Sequence, residues 1–347
     1  MFSIGNFSGF AGDFTTQALE RLNRCPLVFE VTPDIPFYAY DLEVQENAPR
    51  HLARISRQRR MRQGASYPYI FDDDYIGVGV NAYVIDSGVE VEHPEFQGRA
   101  SHGKDFTGEG SGDSNGHGTH VAGIIGSETY GVAKGVEIIE VKALNTKGAG
   151  SLSTILNAIE FAVNHREKTG KHGVANLSLG SYKSQTLNNA IEEATKNGLV
   201  IVVAAGNSNI DACLASPASS KYAITVGAID DLTDTITSFS NWGQCVDIFA
   251  SGFQVKSVDA KYQQKASTLS GTSMAAPIVT GMVAQLLGGG VPPRDIKKTL
   301  IKMSAKDRIP KSSFFLRKRT PNRIAYNRVA ERDYYTEEED SDEGYSS

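Results

Sequence analysis

One stretch, residues 268–277, constrains this chain more than any other part of its sequence. It reads TLSGTSMAAP, so a glycine and a threonine precede Ser273, and it leads into an apolar run with Pro277 near its start. Proline is tolerated in the first turn of a helix, and the positive end of a helix dipole favours developing negative charge. The pattern predicts a helix with the Ser273 hydroxyl at its N-terminus. Taken alone, a serine there is more often an ordinary N-cap.

Two earlier stretches carry a carboxylate and an imidazole in equally defined settings. The segment VNAYVID predicts an apolar strand that ends in Asp86, and GHGTHVAG predicts a helix of small residues that opens with His117. A serine nucleophile needs a base to take its proton and a carboxylate to orient that base. Ser273 is then the candidate nucleophile, His117 the base and Asp86 the orienting group. The alternative for a histidine here is a packing role, which suits the neighbouring His120 better.

These three segments, in the order Asp, His, Ser, resemble the motifs of the subtilisin-like serine proteases, the subtilases. The resemblance extends over about residues 5–305. Residues 47–56 (NAPRHLARIS) are similar to the proteinase K branch, although Arg50 replaces its usual tryptophan, and residues 69–75 (YIFDDDY) are especially similar to the fungal vacuolar member cerevisin. The resemblance implies a serine endopeptidase that requires no cofactor and acts on protein or peptide substrates.

Strand and helix patterns alternate along the chain. Residues 199–205 form an apolar run rich in β-branched side chains, as expected for a strand that is covered on both faces. This alternation predicts a parallel sheet with helices on both sides, and the resemblance implies the three-layer α/β fold of subtilisin. The other predicted elements are strands at 137–143, 174–179 and 222–227 and helices at 152–165, 187–196, 273–287 and 293–303.

The resemblance divides the chain into three parts. Residues 1–40 are similar to the second half of a subtilase inhibitor propeptide, with a predicted helix at 14–22 and a predicted strand at 26–31. Residues 41–306 are predicted to form the peptidase domain. Residues 307–347 are predicted to be a basic segment followed by an acidic disordered tail, because the tail has too few apolar residues to build a core.

A self-processing junction is predicted between Tyr40 and Asp41, counted without a gap against cerevisin. The aromatic segment 37–40 suits a cleft that binds its substrate as an added strand. The chain's own propeptide is an expected partner, since it is both product and inhibitor. The resemblance also implies an extracellular or vacuolar monomer, although no signal peptide is visible in the first residues.

Asn207 is the candidate side-chain donor to an oxyanion. It follows two alanines and a glycine at the end of the apolar run, and it matches the oxyanion asparagine of subtilases. The backbone N–H of Ser273 is the expected second donor. The alternative is an asparagine that only forms a turn.

Two glycine-containing segments, residues 148–152 and 178–180, match those that pair with the substrate backbone in subtilases. Glycine permits close backbone approach, although it also suits turns. Neither segment carries an acidic residue, which argues against dibasic specificity and for an apolar or aromatic P1 side chain. The matched residues are Gly148, Gly150, Leu152, Ser178, Leu179 and Gly180.

The chain has 3 cysteines, and they show no zinc-ligand spacing. With Cys25 in the propeptide-like part, Cys213 and Cys245 are either a disulfide pair or two buried thiols. Their flanks resemble paired cysteines of thermophilic subtilases, so the resemblance predicts a disulfide in an oxidising compartment. It also makes Asp230, with carbonyl oxygens near Pro217, a candidate structural calcium site.

Charge and hydropathy argue against a nucleic-acid-binding protein and against a membrane protein. The net charge is -5, and the basic clusters at 57–62 and 317–323 lack interleaved aromatic residues, which disfavours nucleic-acid binding. No apolar run is long enough to cross a bilayer, so no membrane association is expected. The remaining alternative is a catalytically silent or poorly folding binding protein of the same fold. A silent protein would need a lost triad residue, and none is lost. A poorly folding product stays an alternative, because the propeptide-like segment matches only the second half of such a propeptide.

Overall fold

The computed structural model describes residues 2–5, 7–12, 14–31 and 42–329. The chain packs as two units, residues 1–40 and residues 41–347. The predicted junction at Tyr40 and Asp41 and the acidic tail beyond residue 329 both lie outside the described residues.

The first unit has a short antiparallel hairpin followed by a helix. Its elements are β1 (Phe2–Ile4), β2 (Phe7–Gly9) and α1 (Thr16–Asn23). The Thr15 hydroxyl caps α1 by accepting a hydrogen bond from Ala18 N at 3.3 Å, and the helix overlaps the predicted range 14–22. The strand predicted at 26–31 is wrong. The chain turns at its start and Phe29 is fully exposed, because an apolar pattern forms a strand only beside a partner that satisfies its backbone groups.

The second unit contains the other described strands and helices. The strands are β3 (Leu42–Gln45), β4 (Tyr69–Asp72), β5 (Val80–Asp86), β6 (Ala100–Asp105), β7 (Glu137–Lys142), β8 (His172–Leu177), β9 (Ser181–Tyr182), β10 (Leu199–Ala204), β11 (Ala215–Ser216), β12 (Ile224–Asp230), β13 (Thr235–Ile236), β14 (Ile248–Ser251), β15 (Val255–Val258), β16 (Ala266–Leu269), β17 (Ala305–Lys306) and β18 (Arg323–Ile324). The helices are α2 (Arg50–Ile55), α3 (His117–Gly126), α4 (Leu152–Thr169), α5 (Gln185–Lys196), α6 (Thr272–Gly288) and α7 (Ile296–Met303).

A single large sheet organises this unit. Its strand order is β17-β18-β14-β12-β10-β8-β5-β7-β6, and β13 adds to β12. The eight strands β18, β14, β12, β10, β8, β5, β7 and β6 run parallel to one another. Strands β17 and β13 pair antiparallel with β18 and β12. The predicted parallel α/β fold is confirmed.

The faces of β10 show how the three layers form. Val200, Val202 and Ala204 pack with apolar residues of α3 and α6, whereas the alternate residues Leu199 and Ile201 pack with those of α4 and α5. Successive side chains of a strand point to opposite faces, so an unbroken apolar run is buried on both sides. The central strand is therefore covered as predicted.

The boundary predicted at residue 306 is wrong for the described residues 307–329. In this segment β18 pairs with β14, with Ile324 opposite Phe249, and Ile309 and Tyr326 are buried beside them. A strand of two residues carries no period that a pattern search can detect. The peptidase unit consequently extends through residue 329.

The helix α2 is anchored by two arginines to the loop after β12. Arg50 Nε lies 3.0 Å from Asp231 Oδ1, so the arginine at the usual tryptophan position has an acidic partner. Arg54 is fully buried and donates to both oxygens of Asp234, at 2.7 and 3.0 Å. Paired donors of this kind satisfy a buried carboxylate.

Within the described residues, the structure contains no helix with the length and apolar character required to span a membrane.

Candidate active site

The candidate site lies at the carboxyl edge of the parallel sheet. Asp86 is the last residue of β5, Ser178 follows β8 and Asn207 follows β10. Because parallel strands end at the same edge, residues far apart in sequence meet there. The sheet topology therefore gathers the residues that the motifs marked separately.

Asp86 and His117 form the central polar contact of this edge. Asp86 is fully buried, and its Oδ1 lies 2.7 Å from Nδ1 of His117, the first residue of α3. A β-carbon on Gly118 would lie 2.1 Å from Gly88 O, so only glycine lets α3 approach the loop after β5 this closely. The Asp86 charge raises the pKa of His117, and burial opposes that rise.

A second buried carboxylate, Asp113, joins the loops that carry Asp86 and His117. Its Oδ1 accepts a hydrogen bond from the Ser87 hydroxyl at 2.9 Å, and its Oδ2 accepts one from Thr119 N at 2.8 Å. Sequence analysis missed this residue. The available signal is an Asp just before a predicted helix start, where such side chains satisfy free N–H groups.

Ser273 is the second residue of α6, and Gly271 is the N-cap, so the simple capping role for Ser273 is wrong. Pro277 lacks the N–H that would bond to the Ser273 carbonyl four residues earlier. The Ser178 hydroxyl supplies that bond instead, at 2.8 Å, and the Ser273 hydroxyl donates to the Ser178 carbonyl oxygen at 3.3 Å. The serine is thus fixed to the segment that follows β8.

The Asn207 side chain is oriented by Thr272. Its Oδ1 accepts hydrogen bonds from Thr272 N at 2.8 Å and from Thr272 Oγ1 at 2.9 Å. A β-carbon placed on Gly271 would lie 3.3 Å from Asn207 Nδ2 and 3.6 Å from Ser273 N. Both N–H groups therefore lie near one point beside the serine, and Thr272 is a positioning residue that sequence analysis missed.

The loop around Asn207 is held from behind by Asn241. Asn241 Nδ2 donates to Ala205 O at 2.8 Å, and its Oδ1 accepts from Ser208 N at 3.0 Å. In the same region Cys213 and Cys245 form a disulfide with a Cα–Cα distance of 5.3 Å, while Cys25 is free. This loop is therefore constrained both covalently and by hydrogen bonds.

A cleft of about 580 Å³ lies along this edge. It is lined by Asp86, His117 and both predicted substrate segments. A β-carbon on Gly150 would lie 2.3 Å from Ala143 O, so the close approach of this segment to the chain after β7 requires glycine. The lining also includes residues that sequence analysis did not select: Ser87, Asn115, Leu144, Ala149, Ser151, Ile155, Ser181, Tyr182, Ser184, Leu187 and Ser216.

The oxygens of the candidate calcium site accept hydrogen bonds within the protein. Asp230 Oδ1 accepts a hydrogen bond from Leu232 N at 3.0 Å in its own turn, and Pro217 O accepts one from Ser220 N. Among the described residues, no group of three or more His, Cys, Asp and Glu side chains could hold a metal ion. The calcium site at Asp230 and the carbonyl groups near Pro217 therefore stays a prediction.

Comparisons with known proteins find relatives of this chain in sequence and in structure. The model of the Subtilase family matches residues 77–327. The subtilase-type proteinase RRT12 of Saccharomyces cerevisiae is 42% identical over 94% of this chain and 75% of its own length. Cerevisin of the same organism is 40% identical over 94% of this chain, which spans only 54% of cerevisin. A crystal structure of a cold adapted subtilisin-like serine proteinase has a TM-score of 0.73 and 38% identity, covering 81% of this chain and 98% of its own.

The raised pKa of His117 can be measured in protein that carries Ser273→Ala. Its imidazole should titrate above the usual histidine value of about 6.5, because Asp86 stabilises the charged form. Asp86→Asn should lower this pKa, and the distant change Asp230→Asn should leave it unaltered. NMR titration of the imidazole nitrogens reports the values, and an unchanged pKa in Asp86→Asn would contradict the assignment.

Proposed function

The chain belongs to the subtilase family of serine endopeptidases, and from that premise we propose that Ser273, His117, Asp86 and Asn207 carry its reaction. The observation that carries this proposal is the 2.7 Å contact between the buried Asp86 and His117 Nδ1. An isolated buried carboxylate is costly, and a partner that becomes cationic during the reaction gives it a purpose.

Peptide hydrolysis then begins with rotation of the Ser273 hydroxyl from the Ser178 carbonyl towards His117 Nε2. His117 takes the hydroxyl proton as the oxygen attacks the peptide carbonyl carbon, and Asp86 stabilises the imidazolium. Asn207 Nδ2 and Ser273 N–H donate to the oxyanion. Collapse of the tetrahedral intermediate breaks the C–N bond and leaves the acyl group on the Ser273 oxygen. His117 gives its proton to the leaving amine. A water molecule, activated in the same way, hydrolyses the acyl-enzyme.

The substrate lies extended between the segments 148–152 and 178–180 as an added strand. This arrangement uses main-chain hydrogen bonds for affinity and leaves side-chain pockets for specificity. Leu144, Leu179 and Leu187 line the cleft, and among the described residues Asp86 is its only acidic lining residue. We therefore assign apolar or aromatic P1 side chains to its preferred substrates.

The chain is made as a proenzyme that cuts itself between Tyr40 and Asp41. The sequence on both sides of the junction supports this proposal, and the released propeptide fills the cleft as product and inhibitor. The Cys213–Cys245 disulfide supports an oxidising compartment, extracellular or vacuolar, and the enzyme acts there as a monomer.

A serine-directed fluorophosphonate probe tests the nucleophile. The parent enzyme should be labelled, and Ser273→Ala should lose both labelling and nearly all peptidase activity. Combining Ser273→Ala, His117→Ala and Asp86→Ala should lower the activity no further than one of them alone, because the three residues act as one unit. Ser101→Ala, on exposed β6 and outside the cleft lining, is the matched serine control and should keep the parent labelling and activity. A folded parent protein that neither labels nor cuts would identify a silent binding protein instead.

The oxyanion role predicts a specific kinetic change. Asn207→Ala should lower kcat by about a hundred- to a thousandfold with little change in KM, a magnitude borrowed from the corresponding donor in a subtilisin. The exposed α5 variant Asn189→Ala is the matched control and should retain the parent kcat. Steady-state kinetics on a peptide substrate separate the two constants, and an effect confined to KM would assign Asn207 to substrate binding.

N-terminal sequencing tests self-processing. The purified parent enzyme should start within a few residues of Asp41, because its own cleft binds the preceding aromatic segment. The uncut chain should persist in Ser273→Ala. Cleavage at the same place in that variant would show that another protease cuts the junction.

A further inference from the structure

Glu140 is a buried carboxylate that the proposed reaction does not use. It lies on β7 and is only 1% exposed. Its Oε1 accepts hydrogen bonds from Val89 N at 3.1 Å and from Gly112 N at 2.8 Å. Nδ1 of His102, on the neighbouring edge strand β6, contacts its Oε2. A buried charge needs such partners, and two of these donors are backbone N–H groups of different loops.

These two loops carry the two halves of the contact between Asp86 and His117. Val89 lies in the loop that follows Asp86, and Gly112 lies in the loop that precedes His117. A β-carbon on Gly88 would lie 2.2 Å from Gly112 O, so the loops pass against each other at this point. Glu140 therefore bridges both loops from a strand that belongs to neither of them.

Lys142 holds the same point of the second loop. It follows Glu140 by two positions on β7, so both side chains lie on one face of the sheet. Its Nζ donates to Gly112 O at 2.9 Å. Both backbone polar groups of Gly112 thus bond to side chains of β7, and Asp113, which bonds to Ser87, follows directly. The sheet itself fixes where this loop lies.

We propose that Glu140 is a positioning residue of the active site. By accepting Val89 N and Gly112 N together, it sets the separation of the loops and hence the geometry of Asp86 and His117. The hydrogen bonds of Glu140 go to loop backbone, so it acts through the dyad and not on the reacting atoms. This inference rests on the proposed function, since it assigns Glu140 an effect on that reaction.

Steady-state kinetics on a peptide substrate test the role. Glu140→Ala removes the shared acceptor and should lower kcat by about ten- to a hundredfold, because small misplacements of catalytic groups are costly. KM should change less, since the substrate segments 148–152 and 178–180 keep their residues. Glu140→Gln keeps an oxygen acceptor at the same reach and should recover most of the lost kcat.

A spectroscopic signature separates positioning from a purely structural role. In protein that carries Ser273→Ala, the Nδ1 proton of His117 reports its hydrogen bond to Asp86. Its NMR resonance should shift in Glu140→Ala and should stay near the parent position in Glu140→Gln. Loss of stability alone would lower the Tm and leave this resonance of the folded protein in place.

The matched control is Glu137→Ala on the same strand. Glu137 forms a partly exposed ion pair with Lys171, so its removal should keep the parent kcat and the parent resonance. If Glu140→Ala does not fold, Glu140→Asp replaces it in both measurements, because it keeps the charge but withdraws the oxygens by one methylene. The same direction of change is expected.

Two results would overturn the inference in an active parent enzyme. One is a parent-like kcat in the folded Glu140 variant, and the other is an unchanged His117 resonance there. An inactive parent that the fluorophosphonate probe does not label is a different outcome. It would overturn the proposed function, and the role of Glu140 with it.

Discussion

The buried carboxylate of Asp86 sets the main requirement for this structure. A charge without solvent exposure costs several kcal/mol unless donors surround it. His117 and the backbone N–H of Ser87 supply donors, so the strand that ends at Asp86 and the helix that starts at His117 must meet at a fixed distance. Asp113, a second buried carboxylate, also accepts hydrogen bonds from both parts: from the Ser87 hydroxyl and from Thr119 N in the first turn of α3. Two buried carboxylates thus define one junction, and among the described residues Asp86 Oδ2 has no hydrogen-bond donor there.

The parallel sheet separates the tasks of its two edges. At the carboxyl edge, β5 ends in Asp86 and β8 leads to Ser178, and both of these polar residues line the cleft. At the amino edge, Lys297 pairs with Asp247, just before β14, and its ammonium donates to Ala223 O, just before β12. Loops at the first edge can therefore serve chemistry while the opposite edge is fixed by charge pairing.

Sequence reasoning succeeds here where the signal is local and fails where the partner is distant. Asp86, His117 and Ser273 each sit in a short segment whose pattern predicts its own strand end or helix start, so their placement at element ends could be predicted. The strand expected at 26–31 and the boundary at residue 306 depended on pairing that no local pattern encodes. Ile324 joins the sheet only because Phe249 lies opposite it. Thr272 and Asp113 were missed because their roles exist only between loops.

The contact between Ser178 and Ser273 links the proposed substrate segment to the proposed nucleophile. Pro277 removes one helical hydrogen bond from α6, and the freed Ser273 carbonyl accepts the Ser178 hydroxyl. Ser178 belongs to the segment matched to substrate pairing, and its own carbonyl accepts the Ser273 hydroxyl. If this segment binds substrate as proposed, ordering it acts on the start of α6, which carries Ser273, and through Thr272 on the orientation of Asn207. Because Pro277 leaves the Ser273 carbonyl without a helical donor, Ser178 and Ser273 share a pair of hydrogen bonds.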